Sequence, residues 1–466
     1  MVFQILPLRI VFAFMLGLAA CDRVPNRSGS AVAAGSRPAP YQAMAGIGND
    51  RLLYARGFSM TRTGDATVIT VHDPWQGARK DFIYRLRPRG GLSPNGGGAS
   101  DPVRAGTPNP TPTGTTDPGS GDTLVVPVPL SRAVSLTTTD LPQIEAVGAL
   151  DALVGVGGGR YVCSPAVRAR LADGRIRDVG DDMHLDLETL VSLRPDLLFT
   201  FVVGGSSDGG LAKLTEARLP AAVDGSYMEE EPLGRAEWIK FTAAFFGKSA
   251  AADSVFAGVD SAYRALAALA AQAGHKPTVV VGAPFGGSWW VPGGHTYVAR
   301  LLADAGAVYP WAQDSTRGSL SLDMEAVLAK AGGADYWLNA GDWADLAVAK
   351  AQDPRFALFR AWREGNVWDN DQIRCGEGGR DFFETGAARP DWILADLIAI
   401  LHPELLPGHT PHFYRRLPAG AASMPNQAQA RDQSQGQGHP QHQDKDKDKD
   451  KDKDKGQGQR REAGRK

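Results

Sequence analysis

Runs of β-branched and aromatic residues open the patterned part of the chain. Between Arg51 and Leu86, "YARGFSMTRTGDATVITVHDPW" breaks at a Thr-Gly-Asp turn and is followed by "RKDFIYRL", which predicts a β-hairpin. Residues 88–122 are rich in Pro, Gly, Thr and Ser. That composition buries too little apolar surface to order itself and reads as a disordered insertion. "TLVVPVPL" then resumes strand character and is expected to rejoin the hairpin's sheet.

From Ser131 short apolar runs alternate with segments of helical period. Strand "RAVSLTT" leads to helix "TDLPQIEAVGAL", capped by Thr139 or Asp140, and then to strand "LVGVGG". Helix "LDLETLVSL" feeds strand "LLFTFVV", and helix "GLAKLTEARL" feeds "PAAVDG". Alternation of this kind builds parallel βαβ units. The stretch Leu233 to Ala273 is the most helical, and its second half would run about 40 Å if unbroken, at about 1.5 Å per residue. Afterwards the alternation restarts with "TVVVGAPF", "HTYVARLLADAG", "LDMEAVLAK", "DYWLNAG", "NVWDN" and "RPDWILADLIAIL". The near-identical phrases "LDLETLVSL" and "LDMEAVLAK" stand at corresponding points of the two halves. The fold class expected is therefore α/β: two Rossmann-like lobes with parallel sheets joined by a long helix, plus a small N-terminal β-hairpin element. The boundaries are 50–130 for the β element, 131–246 for the N-terminal lobe, 247–275 for the connecting helix and 276–417 for the C-terminal lobe.

A chain of 466 residues exceeds one ordinary core, in keeping with several folded units. Its net charge of -2 argues against a nucleic-acid partner. Residues 1–21 carry Arg9, the apolar run "IVFAFMLGLAA" and then Cys21, a run too short to span a bilayer but suited to a secretory signal. "LAAC" resembles the lipobox of bacterial lipoproteins, which makes Cys21 the expected lipidation site and membrane anchor, with 22–49 as a tether. Such a protein faces the periplasm or cell exterior, where Cys163 and Cys375 can pair as a disulfide or remain free buried thiols. Residues 418–466, with six consecutive Asp-Lys pairs from Asp444, have no apolar face and read as a disordered tail.

Signs of catalysis are sparse. The sequence holds no Walker phosphate loop, no His-Glu-x-x-His and no Cys-x-x-Cys cluster, so no direct metal site is expected. "GSSDG" at 205–209 matches a nucleophile elbow, with Ser207 as nucleophile and Asp342 or Asp345 and His402 following in hydrolase order. A serine hydrolase is thus one alternative, and a surface lipoprotein that binds a protein partner is another. The leading expectation is a protein without enzymatic activity. Arg160 and Tyr161 follow "VGVGGG", Trp289 and Trp290 precede "VPGG", and Arg374 and Arg380 follow "NVWDNDQ". Set after strands in both lobes, they are candidates to line a cleft for a large, flat or anionic ligand.

Five phrases carry a resemblance: "RAVSLTTTDLPQIEAVGALDALVGVGG", "DVGDDMHLDLETLVSLRPDLLF", "PLGRAEWIKFTAAFFGK", "WWVPGGHTYVARLLADAGA" and "FFETGAARPDWILADLIAILHPEL". Over roughly Ser131 to Leu417 the chain resembles the substrate-binding proteins of bacterial ABC importers for ferric siderophores, haem and cobalamin. The resemblance implies capture of a metal chelate between the lobes and delivery to a permease dimer, without a cofactor of the protein's own. It also implies that Glu188 and Glu325, one in each repeated phrase, dock to permease arginines. An acid in the first turn of a capped helix is favourable for the helix dipole in any case.

Overall fold

The computed structural model describes residues 52–78, 80–89, 123–181, 184–203 and 208–420. Cys21, the tether, nearly all of the 88–122 insertion, Ser207 and the Asp-Lys tail lie outside the described residues.

Strands Phe58–Thr63 and Ala66–Val71 pair antiparallel across Gly64, whose φ of +64° suits the first central position of a two-residue hairpin turn. Phe82–Pro88 extends this sheet antiparallel, and Thr123–Val128 joins Phe82–Pro88 in parallel. The sheet packs on the helices Pro232–Glu237 and Ile239–Phe245, where Phe58 meets Trp238 at 4.7 Å and Tyr84 meets Phe245 at 5.8 Å. Two glutamates fasten the segment leading into it. Glu237 accepts the N–H groups of Leu53, Tyr54 and Ala55, and Glu229 accepts those of Arg56 and Gly57.

The first lobe is a wholly parallel sheet in the spatial order 221–223, 197–200, 133–135, 153–156, 177–178. The second lobe places 279–281 beside 336–338 and then 367–369, all parallel. In both lobes, then, the opening strand lies beside the strand that follows the repeated phrase. The two repeated helices, Leu187–Leu193 and Met324–Ala331, begin alike, with Asp186 accepting from Thr189 N and Asp323 from Ala326 N.

The second lobe departs from the expected parallel pattern in two places. Its edge strand Arg415–Arg416 runs antiparallel to Val367–Asp369, held by Leu417 N to Val367 O and by Arg415 paired with Asp371. Residues 288–292 and 319–322 form an antiparallel ribbon rather than loops.

The helical connection is also divided. Trp238 separates Pro232–Glu237 from Ile239–Phe245, and Gly247, at φ +65°, precedes the connecting helix Ser249–Ala270. Its 22 residues span about 33 Å at about 1.5 Å each, shorter than expected. Ala252, Phe256, Val259, Tyr263 and Ala270 form its buried face. Helix Pro390–Leu401 packs along this connection.

Candidate functional site: a cavity between two stapled lobes

The loop after strand 153–156 and the loop after strand 367–369 meet between the lobes. Cys163 and Cys375 are bonded there, with Cα atoms 5.0 Å apart and a sequence separation of 212. Glu384 of the second lobe accepts N–H groups of Cys163 and Ser164 from the first, at 2.7 and 2.6 Å. Glu377 N donates to Arg160 O at 2.9 Å. Gly376 and Gly379 lie so close that a Cβ would sit 1.9 and 2.0 Å from the carbonyl oxygens of Arg160 and Tyr161, so only glycine permits the approach. Connecting helix and staple thus fix the lobes at two places.

Beside this staple opens a cavity of about 520 Å³. Pro142, Glu145 and Ser164 line it from the first lobe, and Val255, Phe256 and Val259 from the connecting helix. The second lobe adds Asp381, Glu384, Arg389, Trp392 and His412. Its floor is apolar and its charges are mostly spoken for. Arg389 holds Asp391 through two N–H groups and lies 4.1 Å over the Trp392 ring. His412 faces Asp381 at 3.3 Å. Glu145 accepts from Ser164 Oγ and Glu384 from two backbone amides, and neither makes an ion pair among the described residues. Burial raises the Glu384 carboxyl to about 7 against its two amide hydrogen bonds, with Asp381 and Glu145 adding repulsion. The cavity is therefore net acidic, and none of Arg160, Tyr161, Trp289, Trp290, Arg374 and Arg380, the residues expected to line a cleft for a large, flat or anionic ligand, is in its lining.

The residues singled out in the sequence are dispersed. Trp289 is in the core, stacked near Trp337 at 5.2 Å and donating to Val281 O, and does not line a cleft. Trp290 and Arg380 line a smaller, separate chamber, walled by the second lobe and by Arg235 of helix Pro232–Glu237. Arg374, half-exposed, pairs with Asp342 and Asp371. Arg160 pairs with Asp181 at 2.7 Å and stacks on Tyr161, at the staple. Sequence reasoning passed over Asp381 and Glu384, although "RDFFETG" places two acids directly after the strand-end loop.

The hydrolase constellation does not assemble among the described residues. His402 is fully buried beside His275, away from solvent. Asp342 is taken by Arg374, and Asp345 caps helix Leu346–Gln352. Glu188 and Glu325 are both exposed. Glu325 pairs with Arg355 at 2.5 Å, while Glu188 makes no ion pair among the described residues.

Parallel α/β lobes, one long helix between them and a cavity that faces both define a two-lobed ligand-binding protein. The chain belongs to the family described as periplasmic binding protein, whose profile matches residues 134–373. An uncharacterized lipoprotein of Methanocaldococcus jannaschii is 27% identical over 300 residues, covering 62% of this chain and 69% of the relative. A second uncharacterized lipoprotein of that organism is 27% identical over 310 residues, covering 62% and 74%. Among solved structures, a periplasmic heme binding protein from Pseudomonas aeruginosa is 23% identical with a TM-score of 0.47, covering 62% of this chain and 98% of that one.

Proposed function

We propose that this chain is the substrate-binding component of an ABC importer, anchored through Cys21 outside the cytoplasm, which takes a metal chelate into the interlobe cavity and presents it to a permease. The observation that carries the reading is the cavity of about 520 Å³ with walls from both lobes and the connecting helix. That volume falls within the range of small-molecule sites, about 300–1,000 Å³. Family membership and the lipoprotein relatives support the importer role and the anchor.

The wall chemistry narrows the ligand. A polyanionic chelate, such as a catecholate siderophore or haem with both propionates ionised, would bring like charge against Glu145, Asp381 and the ionised fraction of Glu384. A neutral or cationic chelate rich in N–H donors would satisfy those carboxylates and place apolar surface against Phe256 and Trp392; an amide-bearing corrinoid is the example, entering by its amide-bearing edge because the whole molecule is larger than the cavity. A competition experiment tests this: cobalamin, haem and a ferric catecholate are titrated against the purified chain. The reading expects cobalamin to bind most tightly; preferential binding of the catecholate would overturn the charge argument.

A further inference from the structure

Helix Pro232–Glu237 contributes Ala236 to the interlobe cavity and Arg235 to a second chamber, of about 110 Å³, that shares no lining residue with the first. Several times the space one water needs, it suits a molecule of a few heavy atoms. Arg235 is only 9% exposed, and its buried Nε donates to no acceptor among the described residues. Its guanidinium lies 4.5 Å over the Tyr297 ring. Arg380, 7% exposed, also lines the chamber, with its Nε likewise unpartnered. Its charge is met by Asp369 at 3.1 Å, and its Nη1 donates to Asn370 at 2.5 Å. The lining acid is thus committed to Arg380, and the carboxylate whose charge Arg235 meets is the buried Asp224, which lies outside the chamber lining and accepts from Ser226 N. Its Nε–H remains a buried donor that no acceptor among the described residues satisfies, a cost that a bound acceptor would offset. The walls are otherwise apolar: Val298, Leu302, Leu338, Phe382 and Leu397.

We propose that this chamber binds a small monocarboxylate, its carboxylate forked on the Arg235 guanidinium and its short apolar tail against the aliphatic and aromatic walls. The site is independent of the importer reading, since it neither touches the large cavity nor requires a chelate.

Butyrate is the probe, with butyramide as its neutral isostere and butylammonium as its cationic one. Binding to the full chain is measured by calorimetry and melting temperature in a carboxylate-free buffer. The expected result is butyrate binding at least tenfold tighter than butyramide, with no binding of butylammonium. Arg235→Met should lose at least tenfold in butyrate affinity. Equal affinity for butyrate and butyramide overturns the proposal, as does wild-type affinity in Arg235→Met. Should that variant fail to fold, Arg235→Lys keeps the charge but loses the two-pronged donor. Several-fold weaker butyrate binding is then expected, and unchanged affinity overturns the proposal.

Discussion

Glu237 shows how much one buried carboxylate can organise. It is fully buried, receives three consecutive backbone N–H groups from the N-terminal segment and pairs with Lys240 at 2.8 Å. Replacing it with alanine leaves those backbone donors without their acceptor and takes from the Lys240 ammonium its nearer carboxylate, Asp253 at 3.7 Å remaining, a loss of about 3–5 kcal/mol. Urea denaturation of Glu237→Ala checks this, and a loss below about 1 kcal/mol would contradict the anchoring role. Glu384 makes a pH prediction. Its folded pKa, about 7, lies above its ordinary value of 4.5, so the folded state holds the proton more tightly. Its contribution is fully present below about 4.5 and is lost as pH rises through about 7. Wild-type melting temperature should therefore fall relative to Glu384→Gln across that window; a constant gap would argue against it. Neither role was legible beforehand, because partners 182 and 221 residues away in sequence give no local signal.

The repeated elements were legible because their information is local. In "LDLETLVSL" and "LDMEAVLAK" an aspartate stands ahead of a helical apolar period, and the structure shows both aspartates capping. Asp323→Ala should cost about 1 kcal/mol in chemical denaturation. The tryptophan pair was misplaced for a definite reason. Residues 288–292 form a strand, so neighbouring side chains point to opposite faces, which sends Trp289 into the core and Trp290 toward the chamber. Read as loop, the pair carries no such alternation. The staple is likewise an element-scale device, built from a disulfide, a carboxylate on two amides and two close-packed glycines. With Cys163 and Cys375 both changed to serine, amides around 160–165 and 374–380 should exchange with solvent faster. Unchanged protection would show that the noncovalent contacts alone hold the lobes.

For the whole molecule, the α/β, helix, α/β order was readable from periodicity, whereas the cavity was not, since it arises where two lobes and one helix meet. The rigid helix on one side and the staple beside the cavity point to small relative motions of the lobes. Glu188 and Glu325, exposed on equivalent helices of the two lobes, suit a two-point contact with a two-fold partner. Under the docking proposal Glu325 would exchange Arg355 for a partner's cation, a modest cost because that pair is itself exposed to solvent. Chelate uptake by cells depending on this chain should fall sharply when both glutamates are alanine; normal uptake with intact folding would sink the docking role. The central claim, that the interlobe cavity holds the chelate, is tested most directly by thermal shift with cobalamin on the wild type and on Ala146→Trp, which puts an indole into the cavity mouth from an exposed position. Ligand at 100 times its Kd should stabilise the wild type by about 2.7 kcal/mol and the variant by far less. Equal stabilisation of both proteins, or none of either, would contradict it.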